Sequence, residues 1–179
     1  MMAKKLLPYI GIPLILAAYL SRKCMTYDVM ACMYSAALII FGYVAAYSDL
    51  TTRKVPNRLV LSMLATWSIL MAVHIIFDIE TAILLFIQSL IGGAAAGGFF
   101  LFLYILSRKG VGGGDVKLVA VMGLFLTIAK LMPMLFLSSL LAALASAVLL
   151  LIKRVTIKTA IPLVPFLYIG TLIVILEIV

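Results

Sequence analysis

The chain has 179 residues, of which 66% are hydrophobic and 11% are charged, and its formal net charge is +8. A soluble domain has roughly 45–50% apolar and about 25% charged residues, so this composition excludes an ordinary soluble protein. The apolar residues form long blocks between short charged segments. This pattern is typical of an all-helical protein that crosses a membrane several times, because a helix satisfies its own backbone hydrogen bonds in lipid.

The apolar blocks predict about seven transmembrane helices. About 20 helical residues cross the ~30 Å hydrocarbon core of a membrane. The boundary between the fifth and sixth blocks is placed at Lys130 and Pro133, because a proline can begin a helix. Gly93 and Gly97, in the fourth block, predict a close approach of two helices. In chain order the predicted helices cover residues 6–20, 29–47, 59–77, 81–106, 116–132, 133–152 and 160–178.

The first block is interpreted as an uncleaved helix. The N-terminus begins like a signal peptide, with two lysines followed by an apolar stretch. However, the residues before Cys24 are "SRK", which is no lipoprotein cleavage sequence, and six more apolar blocks follow. We therefore divide the chain into residues 1–28, an N-terminal transmembrane helix with an outer loop, and residues 29–179, a six-helix transmembrane core.

The basic residues predict the orientation of the helices. Most of them lie at alternate junctions between the blocks, and an excess of lysine and arginine marks the cytoplasmic side of a membrane protein. This places the N-terminus in the cytoplasm and the C-terminus outside an inner or plasma membrane. These basic residues lie in short groups between the apolar blocks, where they adjoin the membrane surface. We therefore expect membrane lipid and no nucleic acid as a partner. The cytoplasmic set comprises Lys4, Lys5, Arg53, Lys54, Arg58, Arg108, Lys109, Lys117, Lys153, Arg154 and Lys158.

Two of the six acidic residues stand apart from the others. Asp49 and Asp115 lie at cytoplasmic ends of predicted helices and directly against apolar blocks, whereas the other four lie on the outer side. An acidic residue at membrane depth is a candidate functional group. Two carboxylates held close together share a proton, so that one activates water while the other donates a proton to a scissile carbonyl group. The sequence therefore predicts an aspartate dyad at the cytoplasmic face.

The other reactive residue types form no competing site. The single histidine, His74, lies in the outer half of an apolar block, and Cys24 and Cys32 form no CxxC pair. The glycine run before Asp115 lacks the GxxxxGK[ST] spacing of a phosphate-binding P-loop. We therefore expect neither a metal site nor a cofactor.

Three segments resemble the motifs of a known family. "GGGDVKL" (Gly112–Leu118) resembles the GxGD signature of intramembrane aspartyl proteases. "SDLTTRKVPNRL" (Ser48–Leu59) resembles the first catalytic segment of type IV prepilin peptidases, and "IPLVPFLYIG" (Ile161–Gly170) resembles their late proline-containing segment. The three segments occur in the order expected for that family, and the resemblance spans roughly residues 36–170.

The resemblance implies an endopeptidase that removes the short basic leader of prepilins on the cytoplasmic side. It makes Asp49 and Asp115 the catalytic pair. Because Asp115 begins a helix and Asp49 ends one, the helix dipoles favour Asp115 as the general base and Asp49 as the general acid. The remaining candidate residues shape or support the two loops: Gly112, Gly113 and Gly114 for the second loop, Pro56 and Asn57 for the first, and Lys54 and Lys117 near the dyad or the lipid phosphates.

The chain also departs from the larger members of that family. They carry an N-terminal extension with paired CxxC motifs, associated with N-methylation of the new pilin terminus. No CxxC motif is present here, so N-methyltransferase activity is not expected. The size resembles the short peptidase-only members that serve tight-adherence (Tad, Flp-type) pili, with archaeal preflagellin peptidases as a nearby alternative.

Two non-enzymatic alternatives remain open at this stage. The chain could be a small transporter that uses the two aspartates for ion or proton relay, or a membrane subunit of a pilus-assembly platform. A carrier often shows internal repeats and helices broken at the middle of the membrane. Neither feature is evident in the sequence, which leaves the peptidase interpretation as the primary one. The pilin partner and the oligomeric state are not predicted.

Overall fold

The structure is a computed structural model that describes residues 29–106, 112–152 and 162–176. Within these residues the backbone is helical, which confirms the predicted all-α class. The predicted N-terminal helix over residues 6–20 lies outside the described residues. The helices are α1 Val29–Thr52, α2 Asn57–Phe77, α3 Ile79–Leu106, α4 Gly113–Leu151 and α5 Val164–Ile175.

Helices α1 to α4 are long and apolar enough to cross a membrane, and α5 is a shorter apolar helix. Many large apolar side chains on their surfaces are exposed, for example Ile76 at 80% and Leu151 at 82%. Lipid is the environment that suits such a surface, because soluble proteins rarely expose large contiguous apolar patches. The findings support a multi-pass membrane protein, but the described residues do not confirm the count of about seven helices.

Helix α4 changes direction at Thr127. The sequence predicted two helices here, over residues 116–132 and 133–152, so the observed turn lies within the first of them. At 39 residues α4 would be about 58 Å long if straight, about twice the hydrocarbon core. Thr127 has φ 58° and ψ 174°, a conformation that costs a β-branched residue about 1–3 kcal/mol. The boundary predicted at Lys130 and Pro133 was therefore misplaced. Pro133 lies within the helix, where surrounding groups in a membrane protein can satisfy the freed carbonyl.

The part of α4 after Thr127 runs back along α5. A Cβ atom added at Gly170, in the middle of α5, would touch the backbone of Met134 and the hydroxyl of Ser138. Ile175, near the end of α5, lines the same cavity as Lys130. Because the residue numbers rise along one segment as they fall along the other, residues 128–151 are antiparallel to α5. They return towards the end of the bundle at which α5 begins.

Small residues allow α3 and the first part of α4 to pack closely. A Cβ atom at Gly123 would lie 2.6 Å from the carbonyl oxygen of Gly92, closer than real Cβ contacts allow. At Gly97 a Cβ atom would lie 3.0 Å from the Cβ of Ala120, and at Gly93 it would meet the side chain of the next turn of α4. The close packing predicted for Gly93 and Gly97 is confirmed, and it aligns the start of α4 with the end of α3.

Candidate active site

The three segments that resemble family motifs meet at one end of the bundle. The end of α1, the loop before α2, the start of α4 and the start of α5 meet there. Three contacts join them: Val164 with Asp49, Gly114 with Val55, and Lys117 with Asn57. Each contact links residues that are far apart in the sequence, so this end of the bundle exists only in the folded chain.

Asp49 lies in the last turn of α1 and is buried, with 6% of its surface exposed. Its Oδ2 atom accepts a hydrogen bond from the backbone N–H of Val164 at 3.2 Å. Val164 is the first residue of α5, where a backbone N–H has no partner within the helix. The start of α5 therefore provides a fixed donor for one oxygen of the Asp49 carboxyl group and leaves Oδ1 for other partners.

Asp115 is the third residue of α4 and is partly buried. Its carboxyl group forms a hydrogen bond with the backbone of Gly112 and interacts electrostatically with Asp49. The two aspartates thus lie at the same end of the bundle, on helices that enter it in opposite directions. The pairing of the two side chains as a catalytic dyad stays a prediction.

The helix-end argument for the roles of the two aspartates does not hold for Asp49. The sequence analysis considered only the C-terminal end of its own helix, where the dipole disfavours a negative charge. The structure also places the N-terminal end of α5 against the Asp49 carboxyl group, through Val164. Because helix ends of both signs adjoin Asp49, the dipole of α1 alone does not make it the acid of the pair.

The loop after α1 is held back against its own helix. The hydroxyl of Ser48 donates to the carbonyl oxygen of Lys54 at 2.9 Å, and the Arg53 N–H donates to the carbonyl oxygen of Asp49 at 2.9 Å. Arg53 has φ 52°, the left-handed conformation that commonly ends a helix. These bonds place Val55, which is buried, beneath the start of α4. The loop is therefore held in place by these bonds and forms one side of the site.

The glycines of the second loop act through close approach and not through unusual backbone angles. A Cβ atom at Gly114 would lie 3.2 Å from the carbonyl oxygen of Val55, and one at Gly112 would lie 3.0 Å from Oδ2 of Asp115. No described glycine has a positive φ. Gly113 faces open space and has no packing role.

The other predicted supporting residues differ in what they contact. The Nζ atom of Lys117 donates a hydrogen bond to Oδ1 of Asn57 at 3.2 Å, which links α4 to the start of α2. Pro56 precedes α2, and its carbonyl oxygen accepts the backbone N–H groups that begin that helix. Lys54 is exposed, and its recorded hydrogen bonds involve its carbonyl oxygen only.

The described residues hold no group of three or more His, Cys, Asp or Glu side chains that could bind a metal ion. His74 lies at the opposite end of the bundle, where its Nε2 atom is 3.2 Å from the hydroxyl oxygen of Thr81. It is therefore remote from Asp49 and Asp115 and forms no nucleophile–base pair with them.

The contact that sequence reasoning missed is the one made by Val164. The segment "IPLVPFLYIG" was recognised as a motif, but its partner was not. A proline in the first turn marks a helix N-terminus, and helix N-termini attract negatively charged groups. That signal was available at Pro165, yet nothing local indicates which of the acidic residues the new helix would face.

Comparisons with known proteins agree with the three motifs. The sequence matches the Type IV leader peptidase family over residues 36–147. It is also 29% identical over 159 residues to the prepilin leader peptidase/N-methyltransferase of Bacillus subtilis (strain 168), covering 80% of this chain and 61% of that protein. The chain thus spans about three fifths of the length of this relative. No solved structure gives a significant match. Because the family match covers more than half of the chain, including both aspartates, the protein belongs to the Type IV leader peptidase family.

Proposed function

We propose that the protein is a membrane-embedded aspartic endopeptidase that cleaves the short basic leader of prepilins on the cytoplasmic side. The observation that carries this proposal is that Asp49 and Asp115 lie at the same end of an apolar helical bundle, close enough for their carboxyl groups to interact electrostatically. Membership of the Type IV leader peptidase family supports the substrate class.

The pair has the chemistry that peptide hydrolysis needs. Two neighbouring carboxyl groups hold one proton between them, because ionising both would place two negative charges side by side. The ionised group removes a proton from water, and the protonated group donates a proton to the carbonyl oxygen of the scissile bond. The proton belongs to the pair, so we assign the acid and base roles to Asp49 and Asp115 jointly.

Three further contacts position the pair. The Val164 N–H fixes one oxygen of Asp49, the approach of Gly114 to Val55 sets the spacing of the two loops, and the hydrogen bond from Lys117 joins α4 to α2. Small displacements of reacting groups lower rates strongly, so these contacts affect turnover without touching the substrate.

We further propose that the substrate is a Flp-like prepilin of a Tad-type pilus and that the protein is not an N-methyltransferase. The two cysteines of the sequence, Cys24 and Cys32, form no CxxC motif, which supports this assignment. The excess of basic residues at this end of the helices supports a cytoplasmic position for the site in an inner or plasma membrane.

A proton- or ion-relay function has less support. Transporter sites lie near the middle of the membrane, at helices that are broken there. Asp49 and Asp115 lie at helix ends, and the break in α4 is at Thr127, away from both aspartates.

The direct test is co-expression with a candidate prepilin, followed by mass measurement of the pilin. Wild-type protein should remove the leader, and Asp49→Asn and Asp115→Asn should each abolish its removal. Asp78→Asn is the matched control, because it changes an aspartate at the other end of the bundle and asparagine caps a helix as well as aspartate does. Leader removal that survives both substitutions would contradict the proposal. Full cleavage in the presence of a chelator is expected, since no metal is part of the mechanism.

A further inference from the structure

The bundle contains a cavity at the end opposite Asp49 and Asp115, and we call it the distal cavity. Its volume is about 370 Å³, within the range of small-molecule sites. It lies between the start of α1, the end of α2, the start of α3, the turn of α4 and the end of α5. Half of its lining residues are polar: Tyr34, Ser35, His74, Thr81, Gln88, Thr127 and Lys130. The other half is apolar and includes Leu38, Leu84, Leu85, Phe125, Leu126 and Ile175.

The polar lining is rich in hydrogen-bond donors without partners. Neither Lys130 nor the side-chain amide of Gln88 has a hydrogen bond or ion pair with any described residue. His74 is 6% exposed, and its Nδ1 atom has no hydrogen-bond partner among the described residues. Lys130 and Gln88 are exposed and His74 is buried, so their polar groups are available to a bound group that the protein itself does not supply.

The change of direction of α4 at Thr127 places Lys130 at this cavity. Thr127 holds a conformation that a threonine rarely adopts, and Lys130 follows it within one turn. Close packing at Gly92, which faces the backbone of Thr127, maintains that turn. Strained backbone that the surrounding structure enforces is often found at ligand sites.

The charges around the cavity define the ligand. Lys130 is the only charged residue in the described lining. Asp78 is not part of the described lining, and its pKa is lowered by hydrogen bonds from Thr81, which does line the cavity. That carboxylate is therefore already satisfied, and the unpaired positive charge of Lys130 selects an anionic group.

We propose that the distal cavity binds a membrane phospholipid, with the phosphate at Lys130 and the upper part of an acyl chain along Leu84, Leu85 and Phe125. A lysine near a membrane surface attracts lipid phosphate. The donors of Gln88 and Ser35 suit the ester and phosphate oxygens, and the apolar half of the lining suits the chain. Its lining includes residues close to helix ends, such as Ala31, Thr81 and Ile175, which is the depth of the headgroups in one leaflet.

The test is native mass spectrometry of the full-length protein released from nanodiscs of phosphatidylethanolamine and phosphatidylglycerol in equal parts. The wild type should retain one phospholipid. Lys130→Gln should retain it about fivefold less, the factor that corresponds to one lost interfacial cation–phosphate contact. Lys130→Arg should restore retention, because it restores the charge.

Further variants separate the cavity from other lipid contacts. Ser35→Phe fills the cavity and leaves Lys130 in place, so it should also displace the lipid. Arg58→Gln removes a cation at the opposite end and should retain lipid as the wild type does. A thermal melt of each variant verifies that it is folded.

Three results would overturn the proposal. Retention that is unchanged in both Lys130→Gln and Ser35→Phe would place the lipid elsewhere. Displacement of the retained mass by soluble glycerol phosphate would indicate a site for a free phosphate compound. A wild-type protein that retains no lipid would also overturn it, and a Ser35→Cys variant that cross-links to Cys24 would then show that the N-terminal segment of this chain fills the cavity. None of these readouts depends on leader cleavage.

Discussion

The backbone N–H of Val164 donates a hydrogen bond to Oδ2 of Asp49 at 3.2 Å, although the two residues are 115 positions apart in the chain. Both residues are almost completely buried. The donor belongs to the backbone, so only the Asp49 side chain loses rotamer freedom when this hydrogen bond fixes the carboxyl group. The start of α5 is therefore a structural part of the candidate active site.

The first prediction tests this backbone donor. Val164→Pro removes the N–H, and because the αR conformation of Leu163 is disfavoured before a proline, a thermal melt verifies that the variant is folded. We expect the rate of leader cleavage to fall about tenfold to a hundredfold, because a hydrogen bond to a charged group is worth about 1.5–3 kcal/mol. The initial cleavage rate in proteoliposomes measures the effect. Val164→Ala is the control, since it loses buried side-chain atoms but keeps the donor. Equal rates for the two variants would show that the hydrogen bond is unimportant.

The second prediction concerns the contact between the two loops. Gly114→Ala places a Cβ atom 3.2 Å from the Val55 carbonyl oxygen, so the loops must move apart by a few tenths of an ångström. We expect cleavage to slow by about tenfold, because turnover is sensitive to small displacements of the reacting groups. Gly113→Ala is the matched control. It faces open space and should cleave at the wild-type rate, with a small gain in helix stability. A slow Gly113→Ala enzyme with a normal Gly114→Ala enzyme would refute this account.

The third prediction concerns the hydrogen bond between Lys117 and Asn57. A double-mutant cycle with Lys117→Ala and Asn57→Ala should give a coupling of about 0.5–1 kcal/mol in the free energy of activation for cleavage, as expected for an exposed contact. The control cycle pairs Asn57→Ala with Lys54→Ala. These two should be additive, because no hydrogen bond joins their side chains. Additivity in both cycles would mean that the hydrogen bond does not couple the two loops.

The fourth prediction concerns the packing of α3 against α4. Gly123→Ala should destabilise the protein by about 1–3 kcal/mol, since the new methyl group overlaps the backbone of Gly92. The measurement is thermal or denaturant unfolding in detergent. Gly98→Ala, in the same part of α3 but facing open space, should leave the stability unchanged or slightly raised. A similar response at both positions would show that the close approach of the helices is not required.

The fifth prediction concerns a buried hydroxyl group. The OH of Tyr168 is buried and has no hydrogen-bond partner among the described residues. Tyr168→Phe removes this unpaired polar atom and keeps the ring against Gly42 and Tyr43. We expect the free energy of unfolding to rise by about 1 kcal/mol. A loss of stability would indicate that the hydroxyl has a partner, such as bound water or lipid.

Much of this protein follows from the sequence read locally. The length and spacing of the apolar blocks determine an all-helical membrane protein, because every residue in lipid must have its backbone hydrogen bonds satisfied by its own helix. The motifs around Asp49 and Asp115 identify the family, and the family match confirms that identification. These features depend on the amino-acid composition and on the order of neighbouring residues, which are the same in the unfolded and the folded chain.

The contacts of the residues in the candidate site, and the position of the turn in α4, depended on the tertiary structure. The turn of α4 falls at Thr127 and not at Pro133, where the sequence analysis had placed it. Gly114 is a glycine because Val55 lies against it, and Asp49 is oriented by Val164 from a different helix. Hydropathy and helix periodicity act over a few turns, whereas these relationships arise from packing between helices that are distant in the chain. They could therefore be known only once the helices were assembled.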